Sequence, residues 1–192
     1  MQEIILASSS SSRKKELDRL NFEFSVVPPE VDEDSIKHTE TDHLQISRKL
    51  ALLKARNVSL LYPEAIVIGG DTVASFNQKL LSKPITMEKS FEQLRMLAGQ
   101  EHSLCTSLVI IAKGEEYIHS VTAIMKMRDL SDEQIHRYVE IDKPLHSCGS
   151  YKLDALGISL FESIDCEDYT AIIGIPLIWT AGILTQIGVS VP

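Results

Sequence analysis

The stretch that decides the fold class is Ile4-Ile5-Leu6-Ala7-Ser8-Ser9-Ser10-Ser11-Ser12-Arg13-Lys14-Lys15, near the start of the chain. The short apolar run Ile4–Ala7 predicts a buried strand, and the serines after it predict a turn. A helix is expected over about Arg13–Leu20. A strand that passes through a short turn into a helix is typical of α/β proteins.

The rest of the chain continues this alternation, and the predicted mixed sheet is flanked by helices. Asp42 and Gln45 form the expected capping box of a long helix, and Ser131 and Gln134 form that of a later one. The predicted helices are His43–Leu61, Thr86–Ala98 ending at Gly99, Ser131–Ile141 and Pro176–Ile187. The predicted extended segments are Val26–Val31, Ala65–Gly69, Leu104–Ala112 paired with Tyr117–Met127, and Ile158–Ile164. The region from Ala171 to Leu184 is expected to be a core strand, turn and helix.

The serine turn is a candidate phosphate site. Helix N-termini carry unpaired N–H groups and a partial positive charge, so Arg13, Lys14 and Lys15 in the first turn are unfavourable unless an anion is bound there. Ser8 and Ser10 would add hydroxyl donors. The alternative is a solvated helix start, because Glu16 and Asp18 partly offset the charge. The stretch is not a P-loop, since it lacks the required glycines.

Lys54 falls near the centre of the apolar arc of the His43–Leu61 helix, whereas Arg48 and Arg56 lie opposite. A lysine in a core face is unfavourable unless an anion meets it. The alternative is a side chain that snorkels to a nearby edge of the core.

Two acidic segments are candidate metal sites. Asp71 follows Gly69-Gly70 at the predicted end of an apolar strand, where a carboxylate could hold a metal or activate water, or only cap a turn. Glu33 lies in a predicted acidic loop and is either a second ligand or merely solvated. Lys83, twelve residues after Asp71, could return to the same cleft as a phosphate ligand.

Composition limits the remaining classes of function. With 192 residues, 44% hydrophobic and 24% charged, the chain can bury a core and is expected to be one domain without a separate linker. Three widely spaced cysteines favour a reducing compartment, so the expected location is cytoplasmic. The net charge of −8 argues against nucleic acid as the partner, and no segment is apolar enough to predict a membrane span.

Seven motifs in order resemble the Maf family of nucleotide pyrophosphatases, also called septum-formation inhibitor proteins. They are Ile5-Leu6-Ala7-Ser8-x-Ser10 with Arg13, Val31-Asp32-Glu33, Lys54-Ala55, Gly70-Asp71-Thr72-Val73, Lys83-Pro84, Pro144–Lys152, and Ile173-Gly174-Ile175-Pro176-Leu177. The resemblance covers nearly the whole chain. It implies a Maf/Ham1-like α/β fold, with a mixed twisted sheet and two lobes around a nucleotide cleft.

The resemblance also implies an activity, namely hydrolysis of a nucleoside triphosphate to monophosphate and pyrophosphate with Mg²⁺ or Mn²⁺. The family's general base falls on Asp71, and Glu33 and Asp71 are the expected metal ligands. The expected phosphate ligands are Ser8, Ser10, Arg13, Lys54 and Lys83. The partner is a small-molecule nucleoside triphosphate, with neither nucleic acid nor membrane, and the chain could form a homodimer.

Within the family, Pro144–Lys152 resembles the branch that acts on 7-methyl-GTP. Three positions that set base specificity in that branch are Ser12, Thr72 and Asp154 here, where an aromatic residue, Gln and Glu are usual. Thr72 is instead typical of the dTTP/UTP branch. The prediction is a housecleaning 7-methyl-GTP pyrophosphatase. The alternatives are a dTTP/UTP pyrophosphatase and a nucleotide-binding regulator of septation that does not hydrolyse its ligand.

Overall fold

The structure is a computed structural model that describes residues 2–191. Its helices are α1 Ser11–Asp18, α2 Glu33–Thr39, α3 His43–Leu61, α4 Met87–Leu97, α5 Asp132–Asp142 and α6 Leu177–Gln186. Its strands are β1 Ile4–Ala7, β2 Ser25–Val26, β3 Ile66–Phe76, β4 Lys79–Leu80, β5 Glu101–Ala112, β6 Glu115–Met127 and β7 Phe161–Asp165. Short 3-10 segments occupy Cys148–Ser150, Leu156–Leu160 and Tyr169–Ile173. The predicted α/β class is confirmed.

Across residues 2–191, seven strands form one mixed sheet in the order β2-β1-β3-β5-β6-β7, with β4 paired to β3. Strand β1 is parallel to β2 and β3, whereas β3 with β4 and β6 with β7 are antiparallel. Within this described range, no helix is both long and apolar enough to cross a membrane.

The chain divides into two compact units. The first comprises Met1–Thr72, Cys105–Val121 and Asp168–Pro192, and the second comprises Val73–Leu104 and Thr122–Glu167.

The core of the first unit lies on both faces of β1 and β3. Leu6 and Ile68 pack with Leu17 of α1 and Leu184 of α6, whereas the neighbouring side chains of β1 and β3 pack against Val58 of α3. Successive side chains of a strand point to opposite faces, so a strand covered on both sides is apolar throughout. This explains the uninterrupted apolar run of β1.

The second unit has its own buried groups. Leu94 and Leu97 of α4 and Tyr138 of α5 are buried, and these two helices contact each other. Tyr151 packs edge-on against Phe161, with ring centroids 5.0 Å apart.

Several predicted boundaries are accurate, and others are wrong. β1 and α3 have the predicted bounds, and Ser131 with Gln134 forms the predicted capping box. The strand expected from Ile158 begins at Phe161, because the Gly157 N–H folds back onto the Lys152 carbonyl at 2.9 Å and the chain then makes a 3-10 turn. The strand expected after Ala171 is likewise a 3-10 turn, closed by the Asp168 side chain, which accepts from the backbone N–H of Thr170.

Candidate active site

The centre of the candidate site is the ammonium group of Lys54. Only 8% of this residue is exposed, and it projects from the buried face of α3. Its Nζ lies 2.6 Å from Asp71 Oδ1 and 2.7 Å from Glu33 Oε1. The buried lysine therefore does meet anions, and these are carboxylates of the protein itself. Charge-assisted pairs this short are among the stronger polar contacts in proteins.

Asp71 lies in the middle of β3, so the prediction that the strand stops at Gly70 is wrong. The glycines serve close packing instead. A Cβ on Gly69 would stand 2.7 Å from the backbone nitrogen of Ala55 in α3, and a Cβ on Gly70 would stand 2.8 Å from Leu108 Cδ1. The missing side chain at Gly69 thus lets α3 approach the strand, whereas the one at Gly70 leaves room for Leu108 of β5. That approach brings Lys54 to Asp71, which is 7% exposed.

Glu33 is the first residue of α2, so the prediction of an acidic loop is also wrong. Asp32 caps this helix by accepting from the backbone N–H groups of Asp34 and Ser35. Acidic residues in a first helical turn interact favourably with the positive end of the helix dipole, which explains the clustering of carboxylates here.

Glu33 forms an ion pair with a second ammonium group, that of Lys37. Lys37 Nζ lies 2.7 Å from Glu33 Oε2, so each carboxylate oxygen has its own lysine. Burial alone would raise the pKa of Glu33, but the hydrogen bonds from Lys37 and Lys54 outweigh it and hold the pKa at about 2. Lys37 is not among the site residues predicted from the sequence. The available signal was the spacing of four residues between Glu33 and Lys37, which pairs side chains on a helix but not in a loop.

The serine turn caps α1, which begins at Ser11 rather than at Arg13. Ser8 Oγ accepts from the Ser10 N–H at 3.1 Å, and Ser10 Oγ accepts from the Arg13 N–H at 3.3 Å. Ser8 is buried, whereas Ser10 and Ser12 are half-buried. Lys14 and Lys15 are exposed.

Arg13 connects this turn to β3. Its Nε donates to the Gly174 carbonyl at 3.1 Å, and its Nη2 donates to Thr72 Oγ1 at 3.0 Å. Gly174 has a φ of 120°, and a Cβ there would stand 3.0 Å from Arg13 Nε. A side chain at Gly174 would therefore displace the guanidinium group, which explains the glycine in the motif Ile173-Gly174-Ile175-Pro176-Leu177.

Thr72, a predicted specificity position, belongs to a chain of hydrogen bonds. Thr106 Oγ1 donates to the Ala171 carbonyl at 2.8 Å and lies 3.2 Å from Thr72 Oγ1. Because Thr106 donates its only hydroxyl proton to the Ala171 carbonyl, Thr72 must be the donor in the hydrogen bond between the two threonines. Thr72 thus accepts from Arg13 and donates to Thr106, which fixes its side chain.

The other two predicted site residues, Lys83 and Asp154, belong to the second unit, and both are exposed. The structure thus brings together Glu33, Lys54 and Asp71, and it joins Arg13 to Thr72, the residue that follows Asp71.

The carboxylates fit a hard divalent cation by the chemistry of their donors. Glu33 and Asp71 each direct one oxygen to Lys54 Nζ, so the two carboxylates lie side by side. Among residues 2–191, no three His, Cys, Asp or Glu side chains are grouped to hold a metal. Mg²⁺ commonly binds through one or two carboxylates together with substrate phosphates, so a pair of carboxylates suits it better than a site that needs a complete protein cage.

Comparison with known proteins identifies the family. The protein-family model described as "Maf-like protein" matches residues 3–187. The chain is 40% identical over 194 residues to "7-methyl-GTP pyrophosphatase" of Pseudomonas savastanoi pv. phaseolicola, with all of both chains covered. It is 39% identical over 197 residues to "Nucleoside triphosphate pyrophosphatase" of Acinetobacter baylyi, covering 100% of this chain and 98% of the relative.

The solved structure of a HAM1 protein from Coxiella burnetii superposes with a TM-score of 0.53 at 15% identity, covering 97% of this chain and 100% of the other. At that identity the likeness concerns the fold alone. The predicted Maf/Ham1-like fold and the resemblance read from seven motifs are confirmed. The chain belongs to the Maf family.

Proposed function

We propose that this protein is a nucleoside triphosphate pyrophosphatase that hydrolyses the bond between the α- and β-phosphates. The observation that carries the proposal is the convergence of Glu33 and Asp71 on the buried Lys54. Carboxylates and cations placed side by side suit phosphoryl chemistry, in which a base directs water and positive groups offset the charge of the phosphates. The names of the relatives, which are pyrophosphatases, support the same activity.

Asp71 is the proposed general base. Lys54 donates to Oδ1, so Oδ2 is the oxygen that accepts a proton from the attacking water. The water oxygen bonds to the α-phosphorus, the bond from that phosphorus to the bridging oxygen breaks, and pyrophosphate leaves with the electron pair. Because Asp71 is buried within β3 and pairs with Lys54 of α3, its orientation is set before substrate binds.

Positive groups of the chain would bind the triphosphate. Arg13 lies at the start of α1 and keeps an orientation fixed by Gly174 and Thr72. Ser8 and Ser10 can still donate their hydroxyl protons, because both hydroxyls act as acceptors within the turn. We propose these residues, with Lys54 and Lys83, as the phosphate ligands.

Glu33 and Asp71 are the proposed ligands of Mg²⁺ or Mn²⁺. When bound, the cation would supply charge neutralisation for the phosphates and for the pyrophosphate that leaves. The proposed partner is a small-molecule nucleoside triphosphate, not nucleic acid or a membrane. The proposed compartment is the cytoplasm, in keeping with three widely spaced cysteines.

The preferred substrate in this proposal is 7-methyl-GTP. Several relatives carry that name, among them proteins of Pseudomonas putida and Bdellovibrio bacteriovorus. Guanine presents N1–H and N2–H₂ donors that a carboxylate accepts together, and methylation at N7 adds a positive charge. Asp154 is the proposed acceptor. Uracil and thymine present acceptors on both sides of a single N–H, which suits a carboxylate less well.

The test is pyrophosphate release from a panel of triphosphates with Mg²⁺ or Mn²⁺. We expect turnover with a higher kcat/KM for 7-methyl-GTP than for UTP and dTTP, and Asp154→Asn should reduce that preference. Asp71→Asn should lower the rate by about 10²–10⁴, as expected for loss of a general base. Asp165→Asn, at an exposed carboxylate of β7, is the matched control and should keep the wild-type rate.

Three results would contradict parts of the proposal. A folded Asp71→Asn variant with near-normal pyrophosphate release would remove Asp71 as the base. A wild-type protein that binds triphosphates but hydrolyses none would instead support the regulator of septation. A kcat/KM ratio that favours UTP would place the chain with the dTTP/UTP pyrophosphatases.

A further inference from the structure

Lys37, which has no role in the proposed reaction, is at the end of a chain of four alternating charges. Its Nζ meets Glu33 Oε2, Glu33 Oε1 meets Lys54, and Lys54 meets Asp71, with every contact between 2.6 and 2.7 Å. Two carboxylates are thus balanced by two ammonium groups. Both oxygens of Glu33 are already occupied by lysines of the protein.

A divalent cation that binds Glu33 competes with the lysines for these oxygens, because a metal ion and an ammonium group on one carboxylate repel each other. The two lysines differ in their freedom to leave. The Lys54 side chain is 11% exposed and projects from a packed helix face, whereas the Lys37 side chain is 35% exposed. A buried ammonium that loses its carboxylates is strongly destabilised, but a half-exposed one regains water. The exchange at Glu33 is therefore easiest on the oxygen that Lys37 holds.

We infer that Lys37 is a positioning residue that competes with the divalent cation for Glu33 and is released toward the substrate phosphates when the cation binds. This inference rests on the proposed function, because it assumes that Glu33 is a metal ligand. Lys37 would hold Glu33 in place in the free protein, weaken metal binding there, and couple the binding of metal to that of the triphosphate. Such coupling is reciprocal, so each ligand strengthens the other.

The first test is Mn²⁺ binding without nucleotide, read from the loss of the paramagnetic resonance signal of free Mn²⁺. Lys37→Met should bind Mn²⁺ about fivefold to tenfold more tightly than the wild type, the range set by losing one competing ion pair and one nearby positive charge. Lys37→Arg keeps the charge and should remain within about twofold of the wild type.

The matched control is Lys49→Met. Lys49 also pairs with a glutamate, Glu40 at 2.5 Å, but that carboxylate contacts neither Lys54 nor Asp71. Its Mn²⁺ affinity should equal that of the wild type. Unchanged or weaker binding by Lys37→Met, with a melting temperature like that of the wild type, would overturn the inference.

Two further measurements identify the route of the effect. In a Glu33→Gln background, Lys37→Met should change Mn²⁺ affinity by less than about twofold, because the ion pair through which it competes is gone and only the nearby positive charge is lost. Addition of an α,β-methylene triphosphate, which cannot be cleaved at that bond, should tighten Mn²⁺ binding more in the wild type than in Lys37→Met. An equal gain in both proteins would contradict the release of Lys37.

These binding results are separate from turnover. If Lys37→Met tightens Mn²⁺ binding in a protein that releases no pyrophosphate, the proposed function fails while the competition at Glu33 stands. If pyrophosphate is released but the Mn²⁺ affinities of wild type and variant agree, the competition fails and the function stands.

Discussion

Lys54 illustrates what a single buried charge requires. The helical periodicity of α3 predicts that Lys54 lies in a core face, where a lysine needs an anion or has to reach the edge of the core. The structure supplies two anions, and they come from β3 and from the start of α2. Periodicity within one helix reports which face is buried but cannot report which distant segment covers it. For that reason the partners of Lys54 were not predictable from α3 alone.

Lys54→Met should lower the free energy of unfolding by about 2–4 kcal/mol, because it leaves Asp71 buried without its cation. Urea unfolding followed by circular dichroism measures the change. Arg56→Met is the matched control on the same helix. Arg56 pairs with Glu116 at 2.6 Å but is 56% exposed, so its removal should change the free energy of unfolding by less than about 1 kcal/mol. Equal losses in the two variants would show that burial of the pair is unimportant.

At the scale of elements, the contact between α3 and β3 brings Lys54 to Asp71, the proposed general base. Glycines in an apolar run are compatible either with the end of a strand at a turn or with close packing. The sequence predicted that the strand ends at Gly70, but the glycines serve close packing. What favours close packing over a turn is the short distance between Gly69 and Ala55, and that distance depends on where α3 packs. The acidic segment at the start of α2 was wrongly predicted to be a loop for a related reason: the seven residues of α2 are too few for apolar periodicity to distinguish the helix from a solvated loop.

Gly69→Ala should separate these two elements. The new Cβ would lie 2.7–2.8 Å from backbone and side-chain atoms of Ala55, so α3 or β3 has to shift. We expect a loss of about 1–3 kcal/mol in the free energy of unfolding, the usual range for overpacking, together with a lower kcat. Gly182→Ala is the control, since a Cβ there meets no described atom within 4 Å and lies in α6. That variant should be as stable as the wild type, or up to about 1 kcal/mol more stable, from helix propensity.

At the scale of the whole molecule, the sequence predicted the α/β class and most elements because local patterns determine them. The division of the chain into two units was less accessible. Strands β3, β5 and β6 each contribute residues to both units, so no linker or change of composition marks the boundaries. The division depends on contacts between residues far apart in sequence, which periodicity does not record.

The acid stability of the molecule should depend on His102. This residue is 3% exposed, its Nε2 lies 2.8 Å from the Tyr151 hydroxyl, and its Nδ1 has no hydrogen-bond partner among residues 2–191. Burial lowers the pKa of His102 to about 4, from an ordinary value of 6.5. Between these two values the unfolded chain binds a proton that the folded protein does not. The free energy of unfolding should therefore fall as the pH is lowered from 6.5 to 4, with a contribution of about 3 kcal/mol from this group.

His102→Gln removes the titrating group and retains a polar side chain that can reach Tyr151. Unfolding by urea at a series of pH values should show a shallower loss of stability in the variant than in the wild type over this window. His146→Gln, at an exposed side chain of the same unit, is the control and should follow the wild-type curve. Parallel curves for His102→Gln and the wild type between pH 6.5 and 4 would mean that His102 becomes protonated without unfolding its surroundings. The close packing of Tyr151 against Phe161 argues against that result, because a buried imidazolium beside these rings would have no carboxylate partner among the contacts that surround it.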